Sequence, residues 1–319
     1  MFPSPVSGWG NGVGDQTHYG VHDAIADVIL DVLNQYNTSM LTWLNHWYIP
    51  SGGDWGYSFD PPATEPSAHD NYLAYTDDPD SYWYNWSNHL LYQHSPSPTE
   101  GWGDADKHIE KLFQNLVENL TVWIKEGMEN SNIHAHKAAY ITGILTHYIA
   151  DLTQYGHTDY TYLDHSVPEG MDSSYHALYE SMVWNSDSLE ALKKGLRSYS
   201  YNVSRVHDIP HVIHVLARHT NGNGVVEFED IDGSTRLVGE RYYEMLTTYV
   251  SSFDAGYAYL GMKGYTQELW NMTLENIAYG VDICIDIIYS AYISAVENST
   301  AMAVDVSICL LYTSPSPRD

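Results

Sequence analysis

Two histidine–carboxylate pairs at helical spacing carry the chemistry of this sequence. His147 and Asp151 stand four residues apart near the end of an apolar helical stretch, so both leave one helix face within reach of a single ion. His157 follows as that helix should end, and His176 with Glu180 repeats the four-residue spacing. One such pair alone is the pattern of an ordinary surface ion pair. Two pairs with a histidine between them, beside a loop holding more His and Asp, suit a multi-zinc site.

Helices must present these groups. Residues 22–47 show apolar positions at three and four, through Ile25, Val28, Ile29 and Leu33, and predict a first helix. Similar patterns predict helices over 105–128, 134–155, 173–197, 206–218, 236–257 and 265–297. Residues 50–103 are rich in Pro, Gly, Asp, Ser and aromatics, with no sustained period, and read as a long, functional loop region. Asn221 to Gly224 and the run from Val225 to Ile231 suggest a turn and a short strand. No strand–helix alternation and no internal repeat appears, so the expected fold is all-α, a single multi-helix domain with a long aromatic-rich loop region. His207, His211 and His214 have helical spacing but no carboxylate at ligand spacing except Asp208, and read as a helix face. His219 falls at the end of that helix, and His134 and His136 at the start of another.

The composition narrows the chemistry further. The chain has 319 residues, 17 of them His, and only two Cys, Cys284 and Cys309. Neither a disulfide framework nor a thiolate zinc site is available, so a metal must sit in nitrogen and oxygen ligands. A net charge of −28 repels phosphate backbones and argues against stable duplex nucleic acid as a partner. The 28 Tyr and 10 Trp suit a wet cleft or a carbohydrate-facing surface.

The run H-Y-x-x-D-x-x-Q-x-x-H from His147 to His157, followed by H-x-x-x-E from His176 to Glu180, resembles the zinc-dependent phospholipases C of bacteria and their archaeal relatives, whose fold also serves fungal single-strand nucleases. The resemblance covers roughly residues 9–300 and is strongest over 146–180. It implies a helical protein with about three zinc ions in a cleft. It implies Asp77, His89, His147 and Asp151 around the first zinc, and His157, His176 and Glu180 around the second. Trp9 and His22 would hold the third, with Asp151 bridging to it. His18 competes with His22, and Asp78 and Asp80 compete with Asp77. The chain departs from the family at Ala150, where Gly or Thr is usual, at Tyr155-Gly156, where Pro precedes the third His, and at Gly12, where an acid is usual. Trp86 offers an aromatic wall for a quaternary ammonium, or simply lines the core or cleft.

The resemblance implies a zinc-dependent phosphodiester hydrolase that activates water, with Asp77 as metal ligand and general base. The expected substrate is a phospholipid headgroup or another phosphodiester, with contact at a membrane surface. A single-strand nuclease of the same fold and a non-catalytic metal-binding surface module are the alternatives. Residues 1–8 read as a leader or signal-peptide remnant ending before Trp9, and residues 309–319 as an adapter-derived tail. Sequons at Asn37, Asn85, Asn119, Asn202, Asn271 and Asn298 fit a secreted glycoprotein. No run of eighteen uninterrupted apolar residues is present, so no membrane span is expected, although a lost C-terminal anchor is compatible with the sequence.

Overall fold

A computed structural model describes residues 21–36, 43–44, 86–92, 103–129, 132–158, 186–221, 227–229, 235–237 and 267–312. The described residues are mostly helical, as expected. The helices are α1 (Val21–Tyr36), α2 (Ala105–Lys125), α3 (Ile133–Asp151), α4 (Ser186–Leu196), α5 (Ile209–Asn221) and α6 (Gln267–Tyr312). Short 3₁₀ turns at Trp86–His89 and Tyr155–His157 complete the site-bearing elements. The expected short strand is present at Glu227–Glu229, and the departure comes at the start of the helix expected over 236–257. Thr235–Leu237 forms a strand, β2, paired antiparallel with β1 (Glu227–Glu229), where the periodicity placed a helix start at residue 236. The rest of the 236–257 helix lies outside the described residues, as do residues 173–185 of the helix expected over 173–197, whose later part is α4.

α3 is the centre of the molecule. Every residue from Ala138 to Asp151 is buried, which is the all-round burial of a helix enclosed by other helices. Asn132 caps its start by accepting the His134 backbone N–H at 2.7 Å, satisfying one of the exposed donors of the first turn. α2 packs against α3 and α6 through a stripe that includes Ile109, Leu112, Leu116, Leu120 and Trp123. It stops where the sequence supplies glycine. Gly127, at φ +93°, donates to the Ile124 carbonyl at 3.2 Å, and Met128 to the Trp123 carbonyl at 3.0 Å. These two bonds close the last turn around a left-handed residue, the conformation glycine adopts most cheaply.

α6 has 46 residues, about 69 Å at the rise of an α-helix. Its segment Trp270–Thr300 has the length and composition to cross a membrane, but 61 % of its most apolar window is buried. Packing against α1, α2, α3 and α5 accounts for that apolar character. The helical backbone continues through Cys309 to Tyr312.

An extended segment between α4 and α5 lies along α6. The backbone N–H groups of Asn202, Ser204 and Val206 donate to Asp282 at 3.3 Å, Asp286 at 2.6 Å and Ser290 Oγ at 2.8 Å. Every second residue of the strap thus meets every fourth residue of the helix. The two repeats match because two extended residues advance about 6.6 Å and four helical ones about 6.0 Å. Arg205 clamps the far end onto Glu297 with two bonds of 2.6 Å. Of the sequons, Asn119 is committed to the fold. Its side chain bonds the Asn115 carbonyl at 2.9 Å and His134 Nδ1 at 2.9 Å.

Candidate metal centre

Three elements converge on one buried carboxylate. Asp151 ends α3, His147 sits one turn before it, His22 is the second residue of α1, and His89 closes the 3₁₀ turn 86–89. His22, His89, His147, Asp151 and His157 are all at most 2 % exposed. Helical spacing brings His147 Nε2 to 3.3 Å from Asp151 Oδ2. His22 Nε2 lies 3.4 Å from the other oxygen, Oδ1, and His89 Nδ1 contacts Oδ2. Each carboxylate oxygen therefore faces imidazole from a different direction. The His22 and His147 rings stack at 4.1 Å between centroids and 18° between planes, and His89 meets His147 edge-on at 5.3 Å.

The backbone fixes these side chains. Gly103, at φ +91°, comes so close to the 86–92 segment that a Cβ there would lie 1.9 Å from the Leu90 carbonyl oxygen. That approach lets Asp104 N–H reach Ser87 O at 2.7 Å and Ala105 N–H reach Leu90 O at 3.2 Å. On the opposite side, Leu91 N–H donates to the His157 carbonyl at 2.9 Å. The His157 ring returns the contact, donating from Nδ1 to the His89 carbonyl at 2.8 Å. A carbonyl oxygen only accepts, so His157 Nδ1 carries a proton, and in the neutral ring Nε2 is the nitrogen left to face a metal. Thus His89 and His157 hold one another in place.

Burial alone would raise the Asp151 pKa. The positive potential of His147, His157 and His89 outweighs it and holds the carboxyl well below its usual range. A buried carboxylate is tolerable only when paired, and here its partners are imidazoles that can also share a cation. The ligand atoms of His22, His147 and Asp151 all lie within 4.8 Å of one another. His22 Nε2 and His147 Nε2 approach different oxygens of Asp151, Oδ1 at 3.4 Å and Oδ2 at 3.3 Å, and Asp151 Oδ1 is buried without a hydrogen bond. The buried group of His22, His147 and Asp151 could hold one metal ion.

The structure brings together His22, His89, His147, Asp151 and His157 from the expected set. Trp9, Asp77, His176 and Glu180 lie outside the described residues. Trp86 begins the turn that ends at His89, and its side chain lies outside them too. Two neighbours complete the surroundings, Tyr148 from the His147–His157 motif and His108, which carries no sequence signal. Tyr148 is fully buried between His89, at 4.6 Å, and His108, at 4.5 Å. Burial, then Lys111 and His89, pushes the His108 pKa down to about 4, which keeps that ring neutral. His214 lies on the face of α5, as its spacing predicts, and its Nε2 meets Asp106 Oδ2 of α2 at 3.2 Å. Its carboxylate comes from another helix, which no spacing along α5 reveals.

No family model, curated protein or solved structure matches this chain.

Proposed function

We propose that the protein is a secreted zinc-dependent phosphodiester hydrolase, phospholipase C-like in its chemistry, with about three zinc ions per chain. The observation that carries this reading is Asp151, a fully buried carboxylate whose Oδ1 faces His22 while its Oδ2 faces His89 and His147. A carboxylate so placed suits a bridge between two cations. The sequence resemblance supports the same reading and supplies Trp9, Asp77, His176 and Glu180 as the remaining ligands.

When bound, zinc lowers the pKa of water towards neutrality and offsets the charge of a phosphodiester. The chain's own residues set the stage for that chemistry. His22, His147 and Asp151 bind from two helices whose packing fixes their separation. His157 presents Nε2 because its Nδ1 proton is held on the His89 carbonyl. Asp77 is the proposed general base, taking the proton from the attacking water. The neutralising metal also reconciles an anionic substrate with a net charge of −28.

The test is hydrolysis of phosphatidylcholine and of single-stranded DNA by the zinc-reconstituted protein and its His147→Ala variant. Phosphatidylcholine turnover lost in the variant supports the phospholipase C-like reading. Turnover of single-stranded DNA alone assigns the nuclease activity instead. Zinc binding without turnover of either makes the centre a non-catalytic metal site and ends the enzyme proposal.

A further inference from the structure

A cavity of about 410 Å³ opens between the C-terminal half of α1 and the residues that follow α4. Its size falls within the range of small-molecule sites. Asp31 and Gln35 of α1 form one side, and Arg197, Tyr199, Ser200 and Tyr201 the other. Asp31 and His22 stand nine residues apart on α1, about 14 Å along its axis, so the cavity is separate from the candidate metal centre.

We propose that this cavity binds a neutral saccharide. Among the described residues, the most exposed large hydrophobic side chains are Tyr36 at 53 %, Ile133 at 42 % and Tyr199 at 39 %. One of the three, Tyr199, stands in the cavity wall with Tyr201. Tyrosine rings left open to solvent next to polar groups suit a pyranose, which has an apolar C–H face and a rim of hydroxyls. The polar groups complement that rim. Arg197 donates from Nε at 2.9 Å and from Nη2 at 2.6 Å to Asp31 Oδ2. Nη1 of the guanidinium then supplies donors and Asp31 Oδ1 an acceptor, while Gln35 and Ser200 supply both kinds.

Charge and polarity exclude the obvious rivals. The Arg197 charge is matched by Asp31, with Asp27 and Glu190 nearby, and Lys193 is paired to Asp27 at 2.8 Å. No excess positive charge is left to hold a phosphate or a sulfated glycan. Among the described residues, Val32 is the one aliphatic side chain lining the cavity, too little apolar surface for an acyl chain.

The walls are fixed before any ligand arrives. Tyr201 donates its hydroxyl to the Leu196 carbonyl at 2.8 Å, and the next residues are pinned to α6 at Asn202, Ser204 and Val206. A wall held in this way loses little freedom on binding.

The test is affinity measured against neutral glycans spanning β-glucans, chitin oligosaccharides, mannans, galactans and xylans. The full chain is compared with Tyr199→Ala, Gln35→Ala and, as an exposed control, Ile133→Ala. We expect saturable binding to at least one glycan class, weakened about ten-fold or more by Tyr199→Ala and by Gln35→Ala, and unchanged by Ile133→Ala. Failure to bind any of the five classes overturns the proposal. Binding that Tyr199→Ala and Gln35→Ala leave intact overturns it as well, because the glycan then sits elsewhere.

Discussion

The imidazole of His22 lies flat on that of His147, with ring centroids 4.1 Å apart and planes within 18°. The two residues come from helices far apart in the chain, yet both present Nε2 to Asp151, at 3.4 and 3.3 Å. Stacking fixes the first ring against the second, and helical spacing fixes the second against the carboxylate. The centre is therefore set by helix packing, and its integrity should follow the backbone contacts that hold those helices and turns.

Gly103 and Gly127 separate the two ways a glycine can matter. Both have positive φ, but a Cβ at Gly103 would strike the Leu90 carbonyl whereas one at Gly127 meets nothing within 4 Å. Gly127→Ala should cost about 1 kcal/mol, the ordinary price of a left-handed alanine, and leave metal content unchanged. Gly103→Ala should cost about 2–4 kcal/mol and displace the turn carrying His89. Thermal melting and zinc analysis of both variants check this. Equal metal content in the two would mean that Gly103 does not position His89.

Gly280 of α6 tests the other side of the centre. A Cβ there would come 2.3 Å from Thr153 Cγ2, and Thr153 is 1 % exposed, in the turn between Asp151 and His157. Gly280→Ala should destabilise the protein by about 1–3 kcal/mol through overpacking. It should also lower zinc affinity, because the turn must shift. Gly280→Ala with unaltered melting temperature and zinc affinity would show that the turn adjusts freely.

The strap on α6 predicts a pH effect of defined sign. Burial, offset in part by the Ser204 N–H and raised further by Asp282, pushes Asp286 from 3.8 up to about 6. Between about 4 and about 6 the folded protein then binds more protons at this group than the unfolded chain does. Its contribution to stability is fully present below that window and is lost as pH rises through it. Asp286→Asn keeps an acceptor for Ser204 but carries no charge. The variant should be more stable than the parent above pH 6 by about 1 kcal/mol, after allowance for solvent screening at a half-exposed site. The difference should shrink towards pH 4. Urea unfolding of both proteins across that range measures it, and a gap that widens on acidification would reverse the assignment.

What the sequence disclosed follows the range of each interaction. His147 and Asp151 were legible because four residues on one helix suffice to pair them. His157 was legible because the helix was expected to end before it. His22 and His89 reach Asp151 only through packing, and a family resemblance suggested them where spacing could not. His108 gave no signal, since only the approach of α2 to α3 sets it against Tyr148. The Asp106 partner of His214 gives no signal for the same reason, since it lies on α2. In the fold, long amphipathic stretches such as α2 were plain, whereas Thr235–Leu237 formed a strand because pairing with β1 overrode a weak helical period.

Asp151 and its histidines are proposed to hold zinc. The most direct measurement is zinc content by plasma mass spectrometry, after reconstitution and removal of excess metal, for the full chain and for Asp151→Asn. Circular dichroism of both proteins verifies the fold. Zinc retained by the parent and largely lost from a folded Asp151→Asn is the predicted result. A folded parent without zinc, or a variant that keeps as much as the parent, would contradict it.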